Sequence, residues 1–386
     1  MPPRKLVVRS ALTVVCVVAL TLAYSIGQYA WHHKNDGLQQ NVATWGRNHH
    51  LGKLVDKMEV WLHGTPPSKT AAGSLALNSG VTADSTPKLS DDTVAPGSTT
   101  TSTTIPGQPD NIPAVVSPAL DGEGAWKPIA TAHKIHYVWA TSIRPLTDYP
   151  SVVATAAIYN PTTVHTAMYN GTEVPGKGPW TNYKKVQDAA LPSLIAAFNG
   201  GFRFEHNPGG YMAEGVPVRR MKDGYATFGI RADGTSTIGV WGDTMKDDGA
   251  WTSLRQNLPP LVEGGKVVYQ NYPSVNWGEN YGNKVYSLRS AVCLRFDGNM
   301  MFAAVGDVNI DLLARSLANM GCDTAMELDI NGTWPQFATY TGFGTSSRWG
   351  RVIDKRMGNP NRFIQGYTKD FFALFDPLTL PANVVK

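Results

Sequence analysis

An α+β fold is predicted for residues 122–386: one strand-rich domain of mixed sheets with a few helices, preceded by a transmembrane helix, a helical stalk and a disordered linker. Two observations predict the domain. Short β-rich or alternating runs recur after residue 120, bounded by Gly, Pro, Asn and Asp, with few helical stretches between them. The aromatic residues (11 Trp, 15 Tyr and 12 Phe) are absent from 65–120 and dense beyond it, so the core belongs after residue 120.

From the N-terminus, residues 1–9 carry Arg4, Lys5 and Arg9 and read as a cytoplasmic tail. Residues 10–31 are expected to be a transmembrane signal-anchor. The run from Ser10 to Gly27 is 18 residues without a charge, about enough to cross a bilayer as a helix. The flanking cations prefer the cytoplasm, which predicts a single-pass protein with its C-terminal domain extracytoplasmic. Tyr29 and Trp31 follow as interface aromatics would; a cleaved signal peptide ending near Ala23 is the alternative. Residues 36–63 read as a juxtamembrane helical stalk, because Leu38, Val42, Trp45, Val55, Met58 and Leu62 fall near one stripe. His32, His33, His49, His50 and His63 cluster here without spaced carboxylate or cysteine partners, as solvated histidines do. Residues 65–121, rich in Thr, Ser, Pro, Gly and Ala, read as a flexible linker.

Within 122–386, strands are expected at 135–141, 152–159 and 164–169, and a short helix at 182–190. The run 194–198 is apolar throughout and reads as a buried strand entering Asn199-Gly200-Gly201-Phe202. Asp233-Gly234 and Asp297-Gly298 mark hairpins joining 226–231 to 236–241 and 288–296 to 300–305, and Gly264-Gly265 marks a turn within 259–269. A helix at 311–320, capped by Asp307 or Asn309, stops at Gly321. A last apolar strand, 324–328, ends at Asp329.

The formal net charge is +4 with no basic run, so no nucleic-acid partner is suggested. Cys293 and Cys322 either pair in an oxidising exterior or are buried thiols. There is no HExxH, GxSxG, P-loop or CxxC. The domain's histidines are His133, His136, His165 and His206, too sparse for a zinc or Ser-His-Asp hydrolase. What remains is a toolkit of carboxylates, amides, arginines and glycine turns, suited to glycoside or phosphate-ester chemistry.

Three stretches stand out: Ala196-Ala197-Phe198-Asn199-Gly200-Gly201-Phe202; Ser287-Leu288-Arg289-Ser290-Ala291; and Met326-Glu327-Leu328-Asp329-Ile330-Asn331-Gly332-Thr333. In this order, with Met320-Gly321-Cys322-Asp323-Thr324-Ala325 between the last two, they resemble the phosphodiester glycosidase domain family over about 190–340. The sequence departs from that pattern at Ile330 and Asn331, where the family has glycines, which predicts a reshaped pocket or lost activity.

The resemblance implies a hydrolase that cleaves a sugar-1-phosphodiester between the anomeric carbon and oxygen, here in cell-envelope glycans. Its leaving group, a phosphate monoester, needs little protonation. Asp329 is the expected nucleophile or general base, with Glu214 as second carboxylate. Arg289 is expected to grip phosphate, and Asn199 to orient a hydroxyl or water. Gly200, Gly201, Ser290, Glu327, Asn331 and Gly332 are expected to line the substrate. Each has a plainer reading: a turn cap for Asp329, an ion pair with Glu327 or Asp307 for Arg289, a tight turn for Asn199-Gly200-Gly201, and a surface charge for Glu214. Trp277 and Trp334 lie near loops and are candidates to stack on sugar. No cofactor is identified; a divalent cation between Glu327 and Asp329 is possible if both face one side of the strand. A glycan-binding or polysaccharide-assembly protein without catalysis is the alternative function.

Overall fold

The computed structural model describes residues 4–32, 38–78, 107–275, 277, 285–330 and 334–386. The chain divides into two units, Met1–Leu62 and His63–Lys386.

The first unit is helical: Arg4–His32, Leu38–Asn48 and Gly52–His63, whose last residue falls in the second unit. The second and third helices lie within 36–63, separated by a break at His50, whose φ is +62°. Trp45 is buried and its indole N–H donates to Ser25 Oγ at 3.0 Å. The 10–31 run expected to span a membrane lies within the first helix; among the described residues no helix is long and apolar enough to cross a membrane.

The second unit contains three antiparallel sheets. The largest runs Lys127–Ala132, Ile135–Ile143, Ala154–Tyr159, Met300–Val308, Ser287–Arg295, Cys322–Ile330, Val262–Glu263, Lys266–Val267. The second runs Val216–Arg219, Tyr211–Ala213, Trp251–Gln256, Ala226–Arg231, Ser236–Val240. The third runs Trp349–Val352, Phe337–Thr341, Leu194–Asn199, Phe371–Phe375, His165–Tyr169.

Strand alternation sorts the core. On strand Met300–Val308, Met300, Phe302 and Ala304 enter a central cluster shared with the other two sheets, while Met301, Ala303 and Val305 face a second cluster. Helix Ile310–Asn319 closes that second cluster with Ile310, Leu313 and Leu317. Asn309 caps this helix by accepting from Leu312 N–H at 3.0 Å, and Gly321 follows it at φ +85°. In the central cluster Phe198 touches Phe228, Phe302, Phe337 and Phe372 at ring separations of 5.2 to 6.4 Å. The other face of the third sheet packs Tyr169, Ala197, Phe371 and Phe375 against Phe363, Tyr367 and Val385. Cys293 and Cys322 form a disulfide with Cα atoms 5.7 Å apart.

Two expectations change. The 182–190 segment is not a helix: Lys184 has φ +68°, outside the right-handed helical range, and Lys185 N–H closes a tight turn on Tyr183 O at 2.7 Å. The two ends of the 65–121 stretch dock on the domain. Ala76, Ile112 and Val116 are buried, Ala76 N–H donates to Ser142 Oγ at 3.2 Å, and Ile112 N–H donates to Gly124 O at 3.0 Å. A segment without aromatics cannot build a core but can add small apolar side chains to one already present. Residues 79–106 lie outside the described residues.

Candidate functional site

The buried strand Leu194–Asn199 delivers Asn199 to the end of the third sheet, where the largest sheet delivers Ser290 and Asp329. The three stretches picked out in the sequence therefore meet. Asn199 Nδ2 donates to Ser290 Oγ at 3.0 Å and to Gly200 O at 3.0 Å, and its Oδ1 accepts from Gln336 N–H at 2.8 Å. Ser290 Oγ donates to Asp329 O at 2.6 Å, and Asp329 N–H donates to Gly200 O at 3.1 Å. Every polar atom in this knot binds another strand end, so the strands hold one another in place.

A bulge decides where the carboxylates point. Arg289 pairs with Ile330 and Ala291 with Glu327, so two steps on one strand match three on the other. The alternation slips: Ala325 and Ile330 bury in the helix-side cluster, while Met326 and Leu328 bury in the central one. Glu327 and Asp329 consequently do not share one partner. Glu327 Oε1 accepts from Arg289 Nη1 at 2.8 Å, with both side chains fully buried. Asp329 pairs instead with Lys369, just ahead of strand Phe371–Phe375, and its Oδ1 accepts from Ile330 N–H at 3.0 Å. Asp329 and Lys369 are 5% and 4% exposed. The ammonium of Lys369 also lies 4.1 Å from the ring centre of Trp334.

The phosphate-gripping role expected of Arg289 is corrected. Its Nε donates to Val308 O at 3.0 Å and its Nη1 to Trp277 O at 3.0 Å as well as to Glu327, so the guanidinium is committed to the protein. The same contacts commit Glu327 to the interior. Glu214 is corrected as well. It sits in the turn between strands Tyr211–Ala213 and Val216–Arg219, and its carboxylate accepts from Thr181 N–H at 2.9 Å and Asn182 N–H at 2.8 Å. It anchors that loop. Gly200 and Gly201 are required by protein rather than by ligand. A Cβ on Gly200 would lie 2.1 Å from Asp370 Oδ2, and one on Gly201 would lie 2.8 Å from Asn257. The expected cation between Glu327 and Asp329 does not fit, because each carboxylate already faces a side-chain cation. Among the described residues no three His, Cys, Asp or Glu side chains group to hold a metal. Asn331 and Gly332 lie outside the described residues. Ile330, where glycine was expected from the resemblance, continues the strand and is 8% exposed within the core, so its side chain fills the interior. Trp277 and Trp334 are buried too.

Four residues were not anticipated: Arg255, Asn257, Lys369 and Asp370. Arg255 and Asp370 form a fully buried two-pronged pair, Nε to Oδ2 at 2.8 Å and Nη2 to Oδ1 at 3.1 Å. Asn257 accepts from Phe202 N–H at 3.0 Å and donates to Glu327 O at 2.6 Å. Nearby, burial and then the charge of Asp370 push the Tyr211 hydroxyl well above the usual phenol range, keeping it a neutral donor to Asn170. The available signal was the polar run at a strand boundary. Arg255-Gln256-Asn257 ends Trp251–Gln256 and Lys369-Asp370 precedes an all-apolar strand, the same position that drew attention to Asp329.

Residues 192–329 match the family model of phosphodiester glycosidases, so the resemblance expected from the three stretches is found over that span. It contains Asn199, Arg255, Ser290 and Asp329; Lys369 and Asp370 come from beyond it. No curated protein matches the chain. Among solved structures, the catalytic domain of zebrafish N-acetylglucosamine-1-phosphodiester alpha-N-acetylglucosaminidase, auto-inhibited by its pro-peptide, is 17% identical with a TM-score of 0.42, covering 65% of this chain and 87% of that one. A hypothetical protein from Synechocystis is 11% identical with a TM-score of 0.37, covering 61% of this chain and 64% of that one.

Proposed function

We propose that the domain is a glycosidase that hydrolyses a sugar-1-phosphodiester, with Asp329 and Lys369 at its reactive centre. The observation that carries this is a carboxylate and an ammonium facing each other at the one place where the three family-like stretches meet. Water attacks the anomeric carbon while the bond from that carbon to the phosphate oxygen breaks. The electron pair leaves with the phosphate monoester, and Asp329 takes the proton from water as general base. The leaving monoester is stable as an anion, so it needs positive charge beside it rather than a strong acid. Lys369 is the group at hand to supply that charge, in place of Arg289. Asn199 and Ser290 hold the backbone of Asp329 and so fix where its carboxylate stands. The substrate reading extends to glycans outside the cytoplasm. The Cys293–Cys322 bridge supports an oxidising compartment.

Hydrolysis of a synthetic sugar-1-phosphodiester in ¹⁸O-labelled water tests the bond assignment. The label is expected on the anomeric oxygen of the released sugar. Label on phosphate would make the enzyme a phosphodiesterase, and binding of the compound without turnover would favour the non-catalytic glycan binder.

A further inference from the structure

We propose a second, non-catalytic site that binds a neutral pyranose unit of a glycan in a cavity at the opposite end of strand Leu194–Asn199. The cavity has a volume of about 320 Å³ and lies where the edge strand Lys127–Ala132 of the largest sheet approaches the edge of the third. Ile195 lines it, and Asn199, four residues along the same strand, sits about 14 Å away at a strand rise of roughly 3.4 Å. The two sites are therefore separate openings on one scaffold.

Three features define the occupant. The walls are aromatic: Tyr137, Tyr340, Phe343 and Trp349. Trp349 is 50% exposed, whereas every other described tryptophan of the His63–Lys386 unit is buried or partly buried. A large ring left half in water beside a cavity offers a flat apolar face, and the C–H face of a pyranose is its complement. The lining itself carries no charged side chain, and the charged groups behind it are committed to the protein: Arg348, stacked on Phe343, donates to the carbonyls of Pro192, Leu194 and Tyr340, and His133, also against Phe343, pairs with Asp376, so the occupant is neutral. Lastly, the polar groups present are those a hydroxyl can use: the backbone of an edge strand, and the hydroxyl oxygens of Thr131 and Thr341, which are bonded to His136 Nδ1 at 2.8 Å and Trp349 O at 3.2 Å and keep a lone pair each to accept a sugar hydroxyl. That edge is poorly suited to pairing with an added β-strand. Its ladder with Ile135–Ile143 shifts register on both sides of Ala130, which interrupts the regular row of backbone groups.

A site of this kind holds a polymer while a distant bond is cut. The inference concerns binding alone and stands apart from the catalytic reading, so it is tested on the inactive full chain. Full-length Asp329→Asn would be titrated calorimetrically with neutral hexasaccharides of glucose, mannose and galactose. At least one is expected to bind, with Trp349→Ala weakening it about tenfold or more and Trp349→Phe keeping most of the affinity. Thr341→Lys, which brings a charge to the cavity, is expected to abolish binding. Turnover of a small sugar-1-phosphodiester by Trp349→Ala, in the otherwise native chain, should stay unchanged. Unaltered glycan affinity in both Trp349→Ala and Thr341→Lys, or failure of all three hexasaccharides to bind, overturns the proposal. So does binding only of an extended peptide or self-association through this edge. Loss of turnover in native-background Trp349→Ala would place the cavity within the catalytic machinery and overturn its separate role.

Discussion

Glu327 and Asp329 stand two residues apart on one strand, yet they occupy different kinds of place. Glu327 is sealed in the interior against Arg289, whose remaining contacts are backbone carbonyls. Asp329 lies in the bulge, one residue before the strand end, opposite a lysine that leans on an indole. Removing one partner of a sealed pair leaves an unmatched charge in the core, so the first pair serves the fold. The second stands where chains converge and retains slight exposure. The difference teaches that a buried arginine beside a family-like motif need not touch substrate, whereas a strand end reached by several segments is a place where chemistry can be positioned.

The comparison can be broken by mutation, beginning with the largest effects. Arg289→Ala should cost about 3–5 kcal/mol of stability by stranding Glu327, read as a lowered denaturant midpoint. An unchanged midpoint would return Arg289 to the list of substrate ligands. Asp329→Asn should lower kcat by about 10²–10⁴-fold, a typical general-base effect, and should lower the midpoint less than Arg289→Ala does, because Lys369 keeps slight exposure and the Trp334 ring. Lys369→Met should slow turnover too, and Lys369→Arg should restore part of it by returning a cation. If both variants turn over normally, the leaving phosphate is met by another group. Cys293→Ser should cost about 2–4 kcal/mol, the usual contribution of a disulfide, without changing the KM of the folded fraction.

The smallest effect concerns acid. Burial raises the Glu123 carboxyl, but the guanidinium of Arg144 and the N–H groups of Leu120 and Arg144 outweigh it and hold the group below its usual 4.5. A carboxyl lowered by folding stabilises the protein above its unfolded value and loses that contribution as pH falls through the folded one. Glu123→Gln should therefore flatten the decline of stability below about pH 4.5. A decline as steep as in the native chain would mean that other carboxyls carry it.

Much of the architecture was legible because it follows alternation and turn chemistry. The hairpins at Asp233-Gly234 and Asp297-Gly298, the cap at Asn309 and the stop at Gly321 are local effects, and local sequence encodes them. The false helix at 182–190 had suitable composition, but Lys184 takes φ +68° and its N–H donates to Asn170 O, a contact with a distant strand end that composition does not show. The site was half legible. Asn199, Ser290 and Asp329 converge as expected, since each ends or lines a buried strand. The partners of Asp329 and Gly200, namely Lys369 and Asp370, arrive from a strand beyond the family-like span, and pairing at such distance is set by sheet order rather than by spacing. The bulge that parts Glu327 from Asp329 had no mark in the sequence; a strict period of two places both on one face.

The most direct measurement is the rate at which folded Asp329→Asn hydrolyses a chromogenic sugar-1-phosphodiester, beside folded Glu327→Gln at equal concentration. The account expects the first to be nearly inert with the smaller loss of unfolding midpoint, and the second to be the less stable of the two yet active in whatever fraction folds. Native-like turnover by Asp329→Asn, together with an inert but fully stable Glu327→Gln, would contradict it.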